Sequence, residues 1–369
     1  MKIKKIIALF VVLFATLSAN AQAKKYNVHT VAFYNLENFY DTINDPATRD
    51  DEWVYSRDYY LKKQNNIAKV ISQLGTKENP NSPTIIGLAE VENRRVLEDL
   101  VKNPLLINKD YGIIHFDSPD RRGIDCAFLY QKKHFKIISF TNVPLYIYEN
   151  DTKSSSNKKE KKEKKEAEEE VDDRVDESDV TRRIYTRDQI LMTGFLDGEE
   201  VSFIVNHWPS RRGGEKISSK LRERAAGLNV KIIDSLQKIN PDAKVISMGD
   251  LNDGPFNNSL KKILNAKGEK KDVQPLGIYN PSEQMAKKGN STLFYRDAGD
   301  IFDQIIMTEP LIRENTVGYK YWKAGVFNLP FMVQTTGQYK GYPLRNNYSI
   351  SPGYSDHFPV YIYLIKEKK

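Results

Sequence analysis

The sequence holds a single cysteine, Cys126, in 369 residues, so the chain cannot close an internal disulfide or build a CxxC zinc site or an iron–sulfur cluster. Its stability has to come from a buried core. Apolar runs long enough to span a bilayer are missing, which excludes transmembrane helices. No repeat of fixed period occurs, which removes solenoids and propellers. Neither an HExxH helix nor a GxSxG elbow is present, so two common hydrolase arrangements fall away. What the chain does have is 40% hydrophobic and 11% aromatic residues with 28% charged, a balance that argues for a folded globular protein against wholesale disorder, a collagen repeat or a coiled-coil rod.

The start is charged, Met1-Lys2-Ile3-Lys4-Lys5, then apolar from Ile6 to Leu17, then rich in small residues around Ala19 to Ala23. That is the pattern of a secretory signal peptide, expected over residues 1–23. Export to the periplasm or the medium is the expected fate, with residues 24–369 forming a single domain. The formal charge is +7, and loss of Lys2, Lys4 and Lys5 leaves +4. Asp151 to Val180 stands apart: almost free of apolar residues, it runs from lysine-rich to acid-rich and carries a net −4. Such a segment buries too little surface to offset its ordering entropy, so a disordered insertion is expected at 151–180. The remainder is correspondingly more basic, compatible with an anionic ligand.

Elsewhere, strand-length apolar runs predict about ten strands: Val28–Tyr34, Thr84–Ala89, Ile113–Phe116, Cys126–Tyr130, Phe135–Phe140, Ile190–Leu196, Val201–Val205, Lys244–Met248, Ile301–Met307 and Val360–Leu364. Helical periodicity appears at Tyr60, Ile67, Ile71 and Leu74, and again at Leu221, Ala225, Leu228 and Ile232. So many strands with so few helices exceed one doubly wound sheet. Two packed sheets with helices outside fit better.

Polar residues cluster where these strands end: Asn35 and Glu37, Glu90 and Glu92, Asn206 and His207, Asp250, Asn252 and Asp253, then Asp356 and His357 ahead of the last strand. One such cluster is ordinary turn chemistry. Several, brought together by neighbouring strands, would gather Glu90, Asp250, Asp303 and Asp356 into a self-repelling group that proton sharing or a bound cation makes tolerable. Oxygen donors without a cysteine pair point to Mg²⁺, with Mn²⁺ or Ca²⁺ as substitutes. Two histidines beside such an ion suit phosphate contact and proton transfer near neutral pH, and phosphoester hydrolysis is the chemistry that needs both. His29, His115 and His134 lack an adjacent acidic motif and read as structural. Arg211-Arg212-Gly213-Gly214 reads either as a solvated turn or as a contact for an anionic substrate.

In order, the motifs are Tyr34-Asn35-Leu36-Glu37-Asn38, Leu88-Ala89-Glu90-Val91-Glu92, Arg122-Gly123-Ile124-Asp125, Asn206-His207-Trp208-Pro209, Gly249-Asp250-Leu251-Asn252-Asp253, Phe302-Asp303-Gln304 and Ser355-Asp356-His357-Phe358-Pro359. Together they resemble the endonuclease/exonuclease/phosphatase superfamily. The resemblance implies a four-layer α/β sandwich with two packed mixed β-sheets, flanking helices and the site at the sheets' shared edge. It implies metal ligation by Glu90 with Asn35, Glu37 and Asp356. It further implies catalytic roles for His207, Asp250, Asn252, Asp303 and His357, the last two as a histidine–carboxylate pair. Arg122, Asn206, Arg211 and Arg212 are expected to contact substrate. Nucleic acid is the expected substrate, with a phospholipid headgroup or small organic phosphate as the alternative, and no stable protein partner is implied. From Val317 to Tyr354 the chain is unusually aromatic and basic, suiting either stacked bases or an aromatic hairpin packed on the sandwich.

Overall fold

A computed structural model describes residues 24–148, apart from 50 and 52, and 182–368, apart from 296. The expected signal segment and the charged insertion lie outside the described residues. In chain order the elements are β1 (Tyr26–Phe39), α1 (Arg57–Gln73), β2 (Ile85–Val91), α2 (Arg94–Val101), β3 (Tyr111–His115), β4 (Asp125–Gln131), β5 (Phe135–Val143), β6 (Ile147–Tyr148), β7 (Arg183–Ile184), β8 (Gln189–Leu196) and β9 (Glu199–His207). There follow α3 (Glu215–Ile239), β10 (Val245–Asp250), β11 (Ile278–Tyr279), α4 (Ser282–Lys287), β12 (Leu293–Tyr295), β13 (Ala298–Asp300), β14 (Asp303–Thr308), β15 (Lys320–Val326) and β16 (Val360–Glu367).

Two six-stranded sheets carry the fold, ordered β15-β16-β1-β2-β4-β3 and β11-β14-β10-β9-β8-β5. Both are mixed: β1 runs parallel to β2 and β9 parallel to β10, while the flanking pairs are antiparallel. Between the sheets lie Val31, Phe33, Phe128, Phe203, Val205, Ile246 and Met248. The outer face of the first sheet packs Ala32, Ile86 and Leu88 against Ile67, Ile71 and Leu97 of α1 and α2. The outer face of the second packs Ile204 and Ile306 against Ala225, Ile232 and Ile233 of α3. Strand residues alternate between faces, so central strands buried on both sides read as continuous apolar runs, and the four-layer sandwich follows. The sheets approach closely at Gly87, where a Cβ would stand 2.8 Å from the Met248 sulfur.

Ser56 caps α1 by accepting from the Tyr59 N–H. Lys320–Val326, read from sequence only as an aromatic, basic stretch, forms edge strand β15 with a register shift between Tyr321 and Lys323. Alternation fails there because Trp322 interrupts the pairing, so period-two patterning gives no strand signal. The resulting edge is half-buried, and its partner β16, the last strand, lies between it and β1.

Candidate active site

Two local irregularities build the centre. Along β1 the pairing with β2 shifts between Asn35 and Phe39, and Glu37 and Asn38 adopt left-handed backbone, φ 50° and 53°. On β2 the pairing with β4 shifts between Ala89 and Val91, and Glu90 sits at φ 60°. Bulges of this kind re-aim side chains at a sheet's rim, and left-handed conformations in non-glycine residues persist where surrounding contacts hold them. Here those contacts are visible. Glu90 Oε2 accepts from the Asn38 N–H at 2.9 Å, and Oε1 accepts from Asn35 Nδ2 at 3.3 Å.

The second sheet delivers the opposing half. Asp250 ends β10 directly beside His207 on β9 and Asp303 on β14. Asn35 Nδ2 donates to Asp250 Oδ2 at 3.1 Å, bridging the two sheets. His207 Nε2 lies 3.7 Å from Asp250 Oδ2 and 3.9 Å from Glu90 Oε1. His357 Nδ1 donates to Asp303 Oδ2 at 2.7 Å, leaving Nε2 3.9 Å from both Asp250 Oδ2 and Asp356 Oδ1. Asn252, at φ 49°, donates its backbone N–H to Asp250 Oδ1 and its side-chain amide to the Trp208 carbonyl.

The two histidines are driven apart in protonation. Burial, then Arg187, Arg122 and His357, hold His207 well below its usual value, so it is neutral. Burial alone would also lower His357, but Asp303 and Asp250 outweigh it and carry it well above, so it keeps its proton. Burial lifts Asp250 to about 6, with Asp303 and Glu90 adding to the lift and His357 opposing it. Glu37, buried and facing Asp356, is pushed up to about 8. Buried atoms here without hydrogen-bond partners include His207 Nδ1, Asp303 Oδ1, Glu37 Oε1 and Asn38 Oδ1. Carboxylates packed this closely are costly by themselves. Asn35 turns its amide nitrogen to both carboxylates and its Oδ1 to the Glu37 N–H, so it spaces the pair, and the Glu90 and Asp250 carboxylates, flanked by imidazoles, are the oxygens that fit a divalent cation.

Other expected residues divide. Glu37 turns toward the loop before β16: its Oε2 accepts from the Asn346 N–H at 2.8 Å, and Oε1 faces Arg345 Nε at 3.4 Å. Arg122 lies within reach of His207 electrostatically, with Nε 3.8 Å from Asp120. Arg212 is exposed on the turn after His207. Asn206 is a correction. Fully buried, it donates to Ser247 and the Met248 carbonyl and accepts from Trp208 Nε1 and Asn229, so it holds strands rather than substrate. Arg211 is another: it donates to the Asn252 carbonyl, pairs with Asp253, Asp300 and Glu215, and stacks on Phe302, which makes it a brace for the Asp250 loop.

Sequence reasoning missed buried cations, two of them near this centre. Lys63 on α1 donates to Asn346 Oδ1 and the Tyr354 carbonyl, and burial lowers it to about 8. It falls three residues after Tyr60, on the helix's buried stripe, where a lysine is anomalous. Arg187 donates to Asp120 and to the Trp208 carbonyl, and nothing in its local pattern singles it out. Beside the centre, Asp356 and Arg345 open into a cleft of about 1020 Å³ lined by Phe294, Tyr339, Tyr342 and the amides of Gln334, Gln338 and Asn347.

Among solved structures the chain is similar to an endonuclease/exonuclease/phosphatase family protein from Bacteroides thetaiotaomicron, at 18% identity and TM-score 0.51, covering 94% of this chain and 97% of that one. It is likewise similar to a mannosyl-6-phosphatase from the same organism, at 17% identity and TM-score 0.51, covering 91% and 99%. A third is TDP2 from D. rerio complexed with a single-strand DNA product, at 14% identity and TM-score 0.50, covering 92% and 99%. At these identities the likeness establishes the fold. Among curated protein sequences nothing matches at a significant level. The family profile described as Endonuclease/Exonuclease/phosphatase family matches residues 30–172 and 159–366. With most of the sequence matched and two mixed sheets converging on a carboxylate–histidine centre, the chain belongs to the endonuclease/exonuclease/phosphatase family, whose members hydrolyse phosphoesters.

Proposed function

We propose that this chain is an exported, Mg²⁺-dependent phosphodiesterase that hydrolyses nucleic-acid phosphodiester bonds. The observation carrying this reading is the convergence of Glu90, Asn35, Asp250 and the Asp303–His357 pair, from both sheets, onto one point, with Asp356, 3.9 Å from His357, lining a neighbouring aromatic cleft.

Glu90 and Asp250 would hold the ion, with the Asn35 amide bridging and positioning their carboxylates. The charge of a bound Mg²⁺ would polarise a phosphoryl oxygen and stabilise the transition state. His357, protonated and fixed by Asp303, donates from Nε2 to a phosphate oxygen. Asp250, near 6, is ionised at neutral pH and accepts a proton from an attacking water. Its own position is set by the Asn252 N–H. Neutral His207, between Glu90 and Asp250, contributes a second ring to the phosphate's surroundings without adding a competing cation.

The cleft supports the polymer reading. Tyr339 is 53% exposed, its ring 5.6 Å from Tyr342, which in turn stacks on Phe294 at 4.4 Å. Arg345 lines the same cleft, 3.9 Å from Asp356. Aromatic faces beside a cation are what a single strand needs for stacking bases while its phosphates are held. The TDP2 neighbour complexed with single-strand DNA shares the fold. A second reading, a small phosphate ester such as a sugar phosphate, draws on the amides of Gln334, Gln338 and Asn347, which suit hydroxyl groups, and on the mannosyl-6-phosphatase neighbour.

The mature chain, incubated with plasmid, single-stranded oligonucleotide and sugar phosphates, is expected to cleave DNA with Mg²⁺. Chelator should bring the rate to that of Glu90→Ala, and added Mg²⁺ should restore it. DNA cleavage no faster than the Glu90→Ala background removes the nuclease reading, and turnover confined to sugar phosphates establishes the alternative. Tyr339→Ala is expected to raise KM for the oligonucleotide by a factor of about 5–150, the equivalent of roughly 1–3 kcal/mol of base stacking. Its hydrolysis of bis-nitrophenyl phosphate should be unchanged. Export rests on residues 1–23 alone, and fractionation of expressing cells should find the chain, shortened at its start, outside the cytoplasm.

A further inference from the structure

The edge of the sandwich opposite the catalytic centre gathers a second group of chemistry-bearing side chains. His29 lies near the start of β1, six residues before Asn35, which places it about 20 Å away along the strand. His134 comes from the turn between β4 and β5, and Asp197 from the turn between β8 and β9. Asp197 Oδ2 stands 2.8 Å from His29 Nε2, and Asp197 Oδ1 stands 3.1 Å from His134 Nδ1. One potential ligand atom from each of the three lies within 4.8 Å of the other two. The Tyr319 hydroxyl adds a fourth polar group, 3.0 Å from His29 Nε2 and 3.1 Å from Asp197 Oδ2.

Support behind these side chains points the same way. His29 Nδ1 is 2.8 Å from the Thr84 hydroxyl in a buried contact, which fixes the ring and turns Nε2 toward Asp197. An outer hydrogen bond of this kind is the usual means of orienting a ligating imidazole. Asp197 takes left-handed backbone, φ 44°, just ahead of Gly198, and this tight turn aims the carboxylate between the two rings. The His29 side chain is buried, whereas His134 and Asp197 remain 23% and 34% exposed, leaving a route in from solvent.

We propose that His29, His134 and Asp197 form a three-ligand binding site for a divalent transition-metal ion of the zinc type, clasping the two sheets together at the edge away from catalysis. Two imidazole nitrogens and one carboxylate oxygen suit Zn²⁺ and its borderline neighbours and disfavour Mg²⁺, which prefers an all-oxygen shell. Three protein ligands leave a fourth position for water, next to the Tyr319 hydroxyl. The three residues belong to β1 of the first sheet, the turn crossing from β4 to β5 between sheets, and the β8–β9 hairpin of the second. One ion would therefore cross-link segments distant in sequence, and its binding free energy would add directly to folding stability.

The test compares the chelator-stripped wild-type chain with His134→Ala and Asp197→Asn, titrating each with Zn²⁺ by calorimetry and following thermal unfolding with and without Zn²⁺. His134 is partly exposed and Asn is isosteric with Asp, so both variants should fold, as circular dichroism will verify. The wild type is expected to take up one equivalent more than either variant, or to bind that equivalent about 100-fold or more tightly, since loss of an outer partner alone costs 10–100-fold. The imidazole ¹⁵N resonances of His29 and His134 should shift on addition of Zn²⁺, and the Zn²⁺-dependent rise in Tm should be smaller in both variants. Equal stoichiometry and affinity in the wild type and a folded Asp197→Asn would overturn the proposal, leaving the trio a hydrogen-bonded staple. Because the readouts are binding and stability, the result does not depend on which phosphoester the catalytic edge cleaves.

Discussion

Replacing His357 with alanine is expected to lower kcat by about 10²–10⁴-fold, the range typical of a positioned acid or base, with little change in the circular dichroism spectrum. The reason lies in how the ring is held. Its Nδ1 is engaged by fully buried Asp303, and the Ser355 hydroxyl accepts from the His357 backbone N–H, so Nε2 points toward Asp250 and Asp356 at the mouth of the cleft. Asp250→Asn should fall in the same range, because the amide keeps the shape but neither accepts a proton nor carries charge. Asp303→Asn gives a different signature. Asp303 is the first of the carboxylates that raise His357, so its removal lets burial lower the histidine's pKa. A rate that needs protonated His357 then declines at lower pH, and the alkaline limb of kcat/KM should move down in Asp303→Asn. Stopped assays on bis-nitrophenyl phosphate across pH would read all three variants. If His357→Ala and Asp250→Asn both stayed within a factor of about two of wild type, the catalytic assignment would be wrong even though the fold is right.

Much of this centre was legible because strand ends are legible. Asn35, Glu90, Asp250 and His207 each close an apolar run, and the parallel pairs β1–β2 and β9–β10 bring those ends to one edge. Asn206 occupies the same kind of position and failed, because adjacent strand residues point to opposite faces: His207 faces the centre, while Asn206 faces the core and α3. Arg211 looked like an anion contact because a sequence cannot show that Asp253, Asp300 and Glu215 surround it. The periodic stripe on α3 was read correctly at Ala225 and Ile232, which are buried, and missed at its two leucines. Leu221 and Leu228 are only half-buried, while Ser218, Arg222 and Asn229 face inward. A hydrophobic-periodicity argument assumes that buried means apolar, and here the buried seam is polar, with Asn229 donating to Gln189 and Asn206. The same assumption hid Lys63.

That polar seam carries the second large effect. Arg222→Ala is expected to destabilise the protein by about 3–5 kcal/mol, as is usual when one partner of a buried ion pair is removed. Arg222 is fully buried, and its Nε donates to Asp253 Oδ1 at 2.6 Å. Its remaining N–H groups reach the Ser218 hydroxyl and the carbonyls of Ser210 and Glu215. Truncation would leave a nearly inaccessible carboxylate with only Arg211, 3.5 Å away, and the Ser259 hydroxyl, and would remove the donor from the Ser210 and Glu215 carbonyls beside the start of α3, at a desolvation cost. Arg222→Lys should recover little, since a single ammonium cannot reproduce a planar fork aimed at several acceptors. Paired removal behaves differently: Arg222→Leu with Asp253→Leu should cost less than the sum of the single changes, because neither charge is left alone. Urea unfolding at constant m-value would measure each difference. Function should follow stability here, because Asp253 lies next to Asn252 and its carbonyl accepts from Gln304, tying the loop that ends β10 to the start of β14. An Arg222→Ala protein that lost less than about 1 kcal/mol would show that water enters the seam and solvates Asp253, contrary to the burial described here.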